Sequence, residues 1–142
     1  MSNQFVIDDG RKEFTLVNKL GEELARFSLN PSDTNIVKRY DEVAEDFARL
    51  DSILNQEDTT KAFLEGEKFV KEKVDYILGY EVADNFFKIM GAFSPLASGK
   101  FYVEEVFDVI GKVISSETGA RVKKLTANLS KYTGKYTGKK HG

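Results

Sequence analysis

The stretch "FSLNPSDTNIVKRYDEVAEDF", residues 27–47, joins a strand to a long helix and decides how the chain is organised. Pro31 suits the first turn of a helix, because that position needs no N–H donor. Asn30 before it has a side chain that can cap free backbone N–H groups, and Asp33 would place a negative charge in the first turn. The sequence therefore predicts a strand that ends near Leu29 and a helix that begins directly after it.

This predicted helix carries one apolar stripe. Its members recur at spacings of four, three, four, three and four residues: Ile36, Tyr40, Val43, Phe47, Leu50 and Leu54. A stripe this narrow is typical of a helix that packs one side against a sheet or a second helix. Because the stripe runs for under three heptads, we expect packing within the domain rather than a free coiled coil.

Residues 4–29 alternate like a small antiparallel β-meander of three strands. Phe5 and Ile7 alternate before "DDG", in which Gly10 can supply the positive φ of a hairpin turn. The segments "EFTLVN" and "LARFSL" follow, separated by a second turn at Gly21. A sheet this small is stable only when a helix covers one of its faces.

Further helical segments are predicted after Leu54. The second helix is expected to be capped by Asp58 or Thr59 and stopped by Gly79. A short third helix holds the residues from Val82 to Met90, "GAFSPLASGK" forms a loop, and a fourth helix begins at about Tyr102. After "SSETGA", a last segment has apolar side chains at helical spacing, namely Val122, Leu125, Leu129 and Tyr132.

The predicted fold class is α+β. A small N-terminal antiparallel β-meander (residues 4–29) is followed by a mostly α-helical body of four to five helices (31–130), and together they form a single domain, 1–130. A flexible, disordered basic tail is expected at 131–142, where "KYTG" occurs twice without an apolar face.

Composition narrows the class of protein. The 142 residues are 41% hydrophobic and 31% charged, as in ordinary soluble globular domains. The absence of cysteine excludes disulfides and thiolate metal sites, and it suits a reducing cytoplasm. The start "MSNQFVIDDGRKEF" lacks the pattern of a secretory signal, and no stretch approaches the roughly eighteen apolar residues of a membrane span. We therefore expect a soluble, intracellular protein without a membrane partner.

Charge is distributed unevenly along the chain. Ala120 and the residues after it include seven basic side chains and no acidic one, whereas the preceding 119 residues hold 14 basic and 23 acidic side chains. Candidate contact residues in this tail are Lys131, Tyr132, Lys135, Tyr136, Lys139 and Lys140. Lysines with interleaved tyrosines could bind single-stranded nucleic acid, but the acidic body makes a solubilising or partner-docking tail the preferred interpretation.

No motif points to catalysis, a cofactor or a metal. The single histidine, His141, is the penultimate residue, where it is not expected to be held in a catalytic geometry. A calcium loop starting at Asp51 would need glycine at Gln56 and glutamate at Ala62. The paired carboxylates are those expected of solvated faces and turns. We therefore expect a protein that is not an enzyme and that needs no cofactor.

One apolar cluster, "FFKIMGAFSPL", leaves two interpretations open. Its large side chains are Phe86, Phe87, Met90, Phe93 and Leu96. They could pack in the core where a short helix meets a loop, which is the commoner fate of aromatic residues. They could instead form an exposed patch that binds a partner, since Phe and Met are favoured at adaptable interfaces.

The short meander, "FSLNPSD" and the acidic helix "TNIVKRYDEVAEDFARLDSIL" together resemble the tail assembly chaperones of bacteriophages and prophages. The resemblance covers about residues 5–55 and rests on structural rather than catalytic features. It implies a non-enzymatic protein of the bacterial host cytoplasm that coats the long helical tape-measure protein and helps to recruit tail-tube subunits. Coating a long partner would also favour self-association. Many members are made in two lengths by programmed ribosomal frameshifting.

Two other functions remain open on the sequence. One is a nucleic-acid-binding or regulatory module of a mobile element that uses the basic tail. The other is a structural tail component that stays in the particle.

Overall fold

The computed structural model describes residues 3–119, which form a two-stranded sheet followed by five α-helices. The strands are β1 (Lys12–Val17) and β2 (Glu23–Leu29). The helices are α1 (Asn35–Asp46), α2 (Leu50–Leu54), α3 (Thr59–Leu78), α4 (Ala83–Phe87) and α5 (Tyr102–Val113). A 3₁₀ turn (Phe47–Arg49) joins α1 to α2, and a π-helical turn (Ile114–Thr118) continues α5. The predicted α+β class is confirmed, while the predicted tail at 131–142 lies outside the described residues.

The sheet is antiparallel, and its apolar face lies against the helices. Phe14 pairs with Phe27 across the two strands, and their rings stack at 5.6 Å between centroids. Alternate β2 residues, Ala25, Phe27 and Leu29, are buried in the core. Asn85 of α4 donates to the Arg26 carbonyl at 3.1 Å, and Phe86 packs on Phe27 at 5.2 Å. Helix α4 thus supplies the cover that so small a sheet requires.

The predicted first strand of the meander is wrong: Phe5, Val6 and Ile7 are not in a strand, and they are 81–98% exposed. Gly10 does have the expected positive φ, 80°. However, the Asp8 and Asp9 side chains accept the N–H groups of Gly10 and Arg11 at 2.9 and 3.0 Å. These two successive local turns take the place of a hairpin.

The predicted helix start at Asn30–Pro31 is also wrong, because α1 begins four residues later at Asn35. The Asn30 side chain accepts the Ser32 N–H at 3.0 Å, and the Asp33 side chain accepts the Asn35 N–H at 3.0 Å. "NPSD" therefore forms turns ahead of the helix, in which side chains of these types hydrogen-bond the backbone two residues on.

The apolar stripe of the first helix packs as predicted, although the segment is not one regular helix. Ile36 and Val43 are fully buried, and the remaining stripe residues are half-buried against the core. Tyr40 stacks on Phe107 of α5 with ring centroids 4.2 Å apart, and its hydroxyl donates to the Phe107 carbonyl at 3.1 Å. The stripe therefore joins the first helical segment to α5.

The longest helix, α3, has the predicted ends. Asp58 caps it by accepting the Lys61 N–H at 3.1 Å, and Gly79 ends it in the left-handed conformation with φ of 82°. The loop predicted for residues 91–100 is present, and α5 begins at Tyr102 as expected. The sequence left open whether the fourth helix continues through "SSETGA"; the chain is helical as far as Gly119, with Ile114 and Thr118 buried in a π-helical turn.

None of the helices within residues 3–119 combines the length and the apolar character needed to cross a lipid bilayer.

A substitution at Gly111 tests the close approach of α5 to α1. A Cβ built at this position would lie 2.8 Å from Cζ of Tyr40 and would also meet the Tyr40 hydroxyl. We predict that Gly111→Ala lowers the free energy of unfolding by about 1 kcal/mol or more, because overpacking outweighs the helix propensity that alanine adds. Urea unfolding followed by circular dichroism measures the change.

Gly119→Ala is the matched control, because within residues 3–119 no atom beyond its own helix backbone and chain neighbours lies within 4 Å of the Cβ built there. Alanine at this helical position should leave stability unchanged or raise it by up to about 1 kcal/mol. Equal stability of the two variants would contradict the proposed steric limit.

Candidate functional site

The predicted partner-binding cluster is largely inside the protein. Phe86, Phe87 and Phe93 are buried, and Met90 and Leu96 are half-buried against the core. The interpretation of these five residues as an exposed patch is therefore corrected in favour of core packing. The physical reason is that Phe86 covers the sheet and Phe87 meets the edge of Tyr102 at 5.9 Å.

The predicted tail contacts lie outside the described residues. They are Lys131, Tyr132, Lys135, Tyr136, Lys139 and Lys140.

A groove, which the sequence did not reveal, runs along the outer face of α3. It is made of three adjoining cavities of about 210, 320 and 390 Å³, of which the first two share Glu67 and the last two share Lys71 and Asp75. The loop 91–94 forms a second wall at one end and the segment 81–84 forms one at the other end, whereas the middle cavity is lined by α3 residues alone. The α3 residues that line it are Phe63, Leu64, Glu67, Lys68, Lys71, Glu72 and Asp75. This surface is called the α3 groove below.

The N-terminal end of the α3 groove is apolar. Phe63 is 46% exposed and Leu64 is 67% exposed, which is unusual for large apolar side chains that lie next to each other on a helix. Phe93 forms the floor beside Phe63, with the two ring centroids 6.0 Å apart. Gly66 makes room for this floor, since a Cβ there would lie 2.8 Å from Cε2 of Phe93.

Hydrogen bonds fix the loop wall of the groove. The Glu67 carboxylate accepts the Ala92 N–H at 3.3 Å, which ties the loop to α3. The Ala92 and Ser94 carbonyls accept the N–H groups of Val103 and Tyr102 at 2.9 Å each, which ties the loop to α5. Loop and helix therefore form a preformed concave surface rather than two independent parts.

Tyr102 supports this wall from inside the domain. Its hydroxyl donates to the Phe86 carbonyl at 2.9 Å, and burial raises the pKa of the hydroxyl above its ordinary value. The neutral phenol is therefore the form that the folded protein favours.

The other end of the α3 groove is acidic. One oxygen of Asp75 accepts the N–H groups of both Val82 and Ala83 at 2.8 Å, which fixes the turn between α3 and α4. Lys71 forms an ion pair with Asp84 at 3.1 Å across the groove. The remaining carboxylates at this end, those of Glu72 and Glu81, make no ion pair within residues 3–119. Negative charge is thus available next to the apolar surface.

A larger but shallower cavity of about 680 Å³ lies between α1 and α5. It is lined by Tyr40, Asp108, Gly111, Lys112, Ser115 and Ser116. Tyr40 and Asp108 are already bonded, to the Phe107 carbonyl and to Lys100 at 2.9 Å. Because its polar groups serve the packing of α1 on α5, this cavity is a weaker candidate than the α3 groove.

The described residues bring together no group of three or more side chains that could hold a metal ion. The α3 groove offers apolar surface and fixed charge, which is the chemistry of binding. In the sequence, the adjacent pair Phe63–Leu64 gave no distinguishing signal, because another adjacent apolar pair in the same helix, Ile77–Leu78, is buried.

The raised pKa of Tyr102 leads to a prediction on stability at alkaline pH. The unfolded chain ionises near the ordinary tyrosine pKa of about 10, so the unfolding free energy should fall as pH rises past about 10 and level off only above the folded pKa. Tyr102→Phe loses the bond to Phe86, worth about 1 kcal/mol, but it also loses this alkaline decrease. The difference in unfolding free energy between the natural protein and Tyr102→Phe, measured by urea titration, should therefore narrow from pH 8 to pH 11. If the unfolding free energies of the two proteins changed in parallel with pH, the raised pKa of Tyr102 would be contradicted.

The chain matches no protein-family model, and no curated protein or solved structure is significantly similar to it. The functional proposal therefore depends on the geometry of the α3 groove and on the resemblance of residues 5–55.

Proposed function

We propose that this protein is a non-enzymatic binding protein whose α3 groove receives a helical segment of a longer protein. The observation that carries the proposal is the exposure of Phe63 and Leu64 at the mouth of a preformed concave surface. Large apolar side chains that remain exposed in this way mark interaction sites more often than isolated surface residues do.

The length of the groove suits a short helix. From Phe63 to Asp75 it follows twelve residues of α3, or about 18 Å at 1.5 Å per residue. A partner helix of three to four turns covers that length and presents apolar residues at spacings of three and four to the groove. The charged side chains at the acidic end would set the register of such a helix more than its affinity.

In the context of the resemblance, the partner is the tape-measure protein of a phage or prophage tail. We propose a tail assembly chaperone that binds repeated helical segments of that protein and helps to recruit tail-tube subunits during tail morphogenesis. Several copies would bind side by side along one long partner, and contacts between neighbouring copies would then favour self-association. Support comes from the α+β architecture, the acidic helix α1 and the α3 groove.

The first measurement is to read the DNA on either side of the coding region. A slippery site near the stop codon, followed by an overlapping frame and a very long helical reading frame, is the expected result. It would also identify the partner to co-express. A neighbourhood of unrelated genes would count against the tail-chaperone proposal.

Leu64→Asp tests the role of the α3 groove in binding. We predict that the dissociation constant for a helical tape-measure fragment, measured by calorimetry, rises about tenfold or more, because a charge replaces an apolar anchor. Leu20→Asp is the matched control, since Leu20 is an exposed leucine in the turn between β1 and β2. Equal affinities of the two variants would rule out the groove as the binding surface.

The basic residues after Ala120 favour a second candidate function, that of a nucleic-acid-binding module. That function requires binding to single-stranded nucleic acid that weakens steeply with salt and is lost when residues 131–142 are removed. The chaperone function instead requires binding to helical protein that persists after the same truncation. A third function, a structural component of the tail, requires the protein in purified particles, which mass spectrometry of the particles detects.

A further inference from the structure

The two edges of the β1–β2 sheet differ in how the rest of the protein covers them. On the β2 edge, the Ser28 N–H donates to the Tyr80 hydroxyl at 2.7 Å. The Arg26 carbonyl on the same edge accepts the side-chain amide of Asn85 at 3.1 Å. The backbone groups of Ser28 and Arg26 therefore point away from β1, and side chains around the start of α4 complete their hydrogen bonds.

The β1 edge has no such cover among the described residues. Glu13 lies opposite Ser28 and Thr15 lies opposite Arg26, so their backbone N–H and C=O groups point away from β2. No hydrogen bond from elsewhere in residues 3–119 reaches these groups. An open strand edge of this kind pairs readily with a strand from another molecule.

The apolar face of β1 is also incompletely covered. Phe14 and Leu16 pack against the core, but both side chains remain half-buried. A third strand beside β1 would cover both side chains, provided that it carries apolar residues on the same face.

The segment 3–7, which precedes β1 in the chain, has this apolar character. Phe5, Val6 and Ile7 are 88%, 98% and 81% exposed. In an extended strand, Phe5 and Ile7 would share one face and Val6 would lie on the other. Three neighbouring apolar side chains with this exposure indicate a surface that a partner covers.

Local turns separate this segment from β1 of its own molecule. Asp8 and Asp9 each accept the backbone N–H of the residue two positions further on, at 2.9 and 3.0 Å. With these turns formed, the segment 3–7 does not pair with β1 of the same chain. The open edge and the exposed segment can therefore satisfy each other when two copies meet.

We propose that the segment 3–7 of one copy adds to the β1 edge of a second copy as an antiparallel third strand. Val6 lies opposite Thr15 of the other copy, and the two residues exchange both backbone hydrogen bonds. In this register, Phe5 and Ile7 lie on the face of the half-buried β1 side chains and cover them. The occupant of the β1 edge is thus a second copy of this chain.

Charge favours the antiparallel direction. It brings Asp8 and Asp9 of one copy beside the start of β1 in the other copy, where Arg11 and Lys12 are located. The two aspartates form no ion pair with any residue in the part of the chain that the structure describes. A parallel segment would instead place their charges at the apolar end of β1, so complementary charge helps to determine the direction of pairing.

The short connection between segment and strand makes the exchange reciprocal. Residues 8–11 separate them and span roughly 13 Å when extended. Antiparallel pairing brings the starts of the two β1 strands together, so each segment reaches the open edge of the other copy. The product is a dimer with twofold symmetry. It requires only two copies of this chain and does not depend on the function proposed above.

Ile7→Asp tests whether the segment holds the dimer together. Sedimentation equilibrium of the full chain should show a monomer–dimer equilibrium, and Ile7→Asp should raise its dissociation constant about tenfold or more, because the carboxylate would be buried against Phe14. Leu20→Asp is the matched control, since Leu20 is 83% exposed in the turn between the strands, and it should leave the constant unchanged. A monomeric natural protein, or equal effects of the two variants, would overturn the proposal.

Val6→Asp distinguishes the proposed strand from unspecific adhesion. The proposed register places Val6 on the solvent-facing side of the sheet, so the dissociation constant should rise by about threefold or less. Unspecific adhesion would instead make Val6→Asp at least as disruptive as Ile7→Asp, because Val6 is the more exposed residue in the single chain. That result would overturn the proposal.

Paramagnetic relaxation enhancement in a mixed sample locates the segment. The natural chain has no cysteine, so Gln4→Cys gives a single site for a nitroxide label. Labelled protein without ¹⁵N is combined with unlabelled ¹⁵N protein, and the amide signal of Val17, at the end of β1, should broaden. Broadening near Lys12 would indicate a parallel segment, and broadening near Leu64 would place it in the α3 groove. Either result would overturn the proposal, as would broadening seen only when the label and ¹⁵N are in one molecule.

Discussion

The Asp75 carboxylate holds the turn on which the helical part of this protein depends. It accepts two backbone N–H groups, from Val82 and Ala83, just after Gly79 has ended α3. These bonds satisfy two free donors at the start of α4 and aim that short helix back at the sheet. Because α4 carries Phe86, the bonds also determine where the apolar face of β2 is covered. The same carboxylate lines the α3 groove, so fold and candidate site share one anchor.

The groove exists because α3 and two segments that follow it in the sequence meet at one surface. Helix α3 supplies the long wall, the loop 91–94 supplies the apolar floor through Phe93, and the segment 81–84 supplies acidic side chains. Glu67 and Gly66 bring the loop close, one by a hydrogen bond and the other by having no side chain. A surface held by contacts of this kind is rigid enough to present exposed leucine and phenylalanine without collapsing around them.

The sequence predicted features that depend on local chemistry. The apolar stripe from Ile36 to Leu54, the cap at Asp58 and the stop at Gly79 each follow from side chains within a few residues, and the structure contains them. The predicted strand at Phe5–Ile7 failed, because whether a hairpin pairs depends on competition with local turns, which the Asp8 and Asp9 side chains decide. The predicted helix start at "NPSD" was wrong for the same reason, because the Asn30 and Asp33 side chains form local turns there. The groove itself could not be predicted, because it requires the tertiary positions of α3, the 91–94 loop and the 81–84 segment.

The contact between Phe27 and Phe86 also determines the order in which parts of the protein can form during synthesis. The two rings are 59 residues apart in sequence, as are the Asn85 and Arg26 groups that bond beside them. At roughly 5–20 residues per second, a ribosome needs about 3–12 s to add that length of chain. The β1–β2 hairpin is complete in sequence long before its cover is made, and an isolated two-stranded hairpin is only marginally stable in water. The apolar face of the β1–β2 hairpin therefore stays uncovered until α4 has left the ribosome.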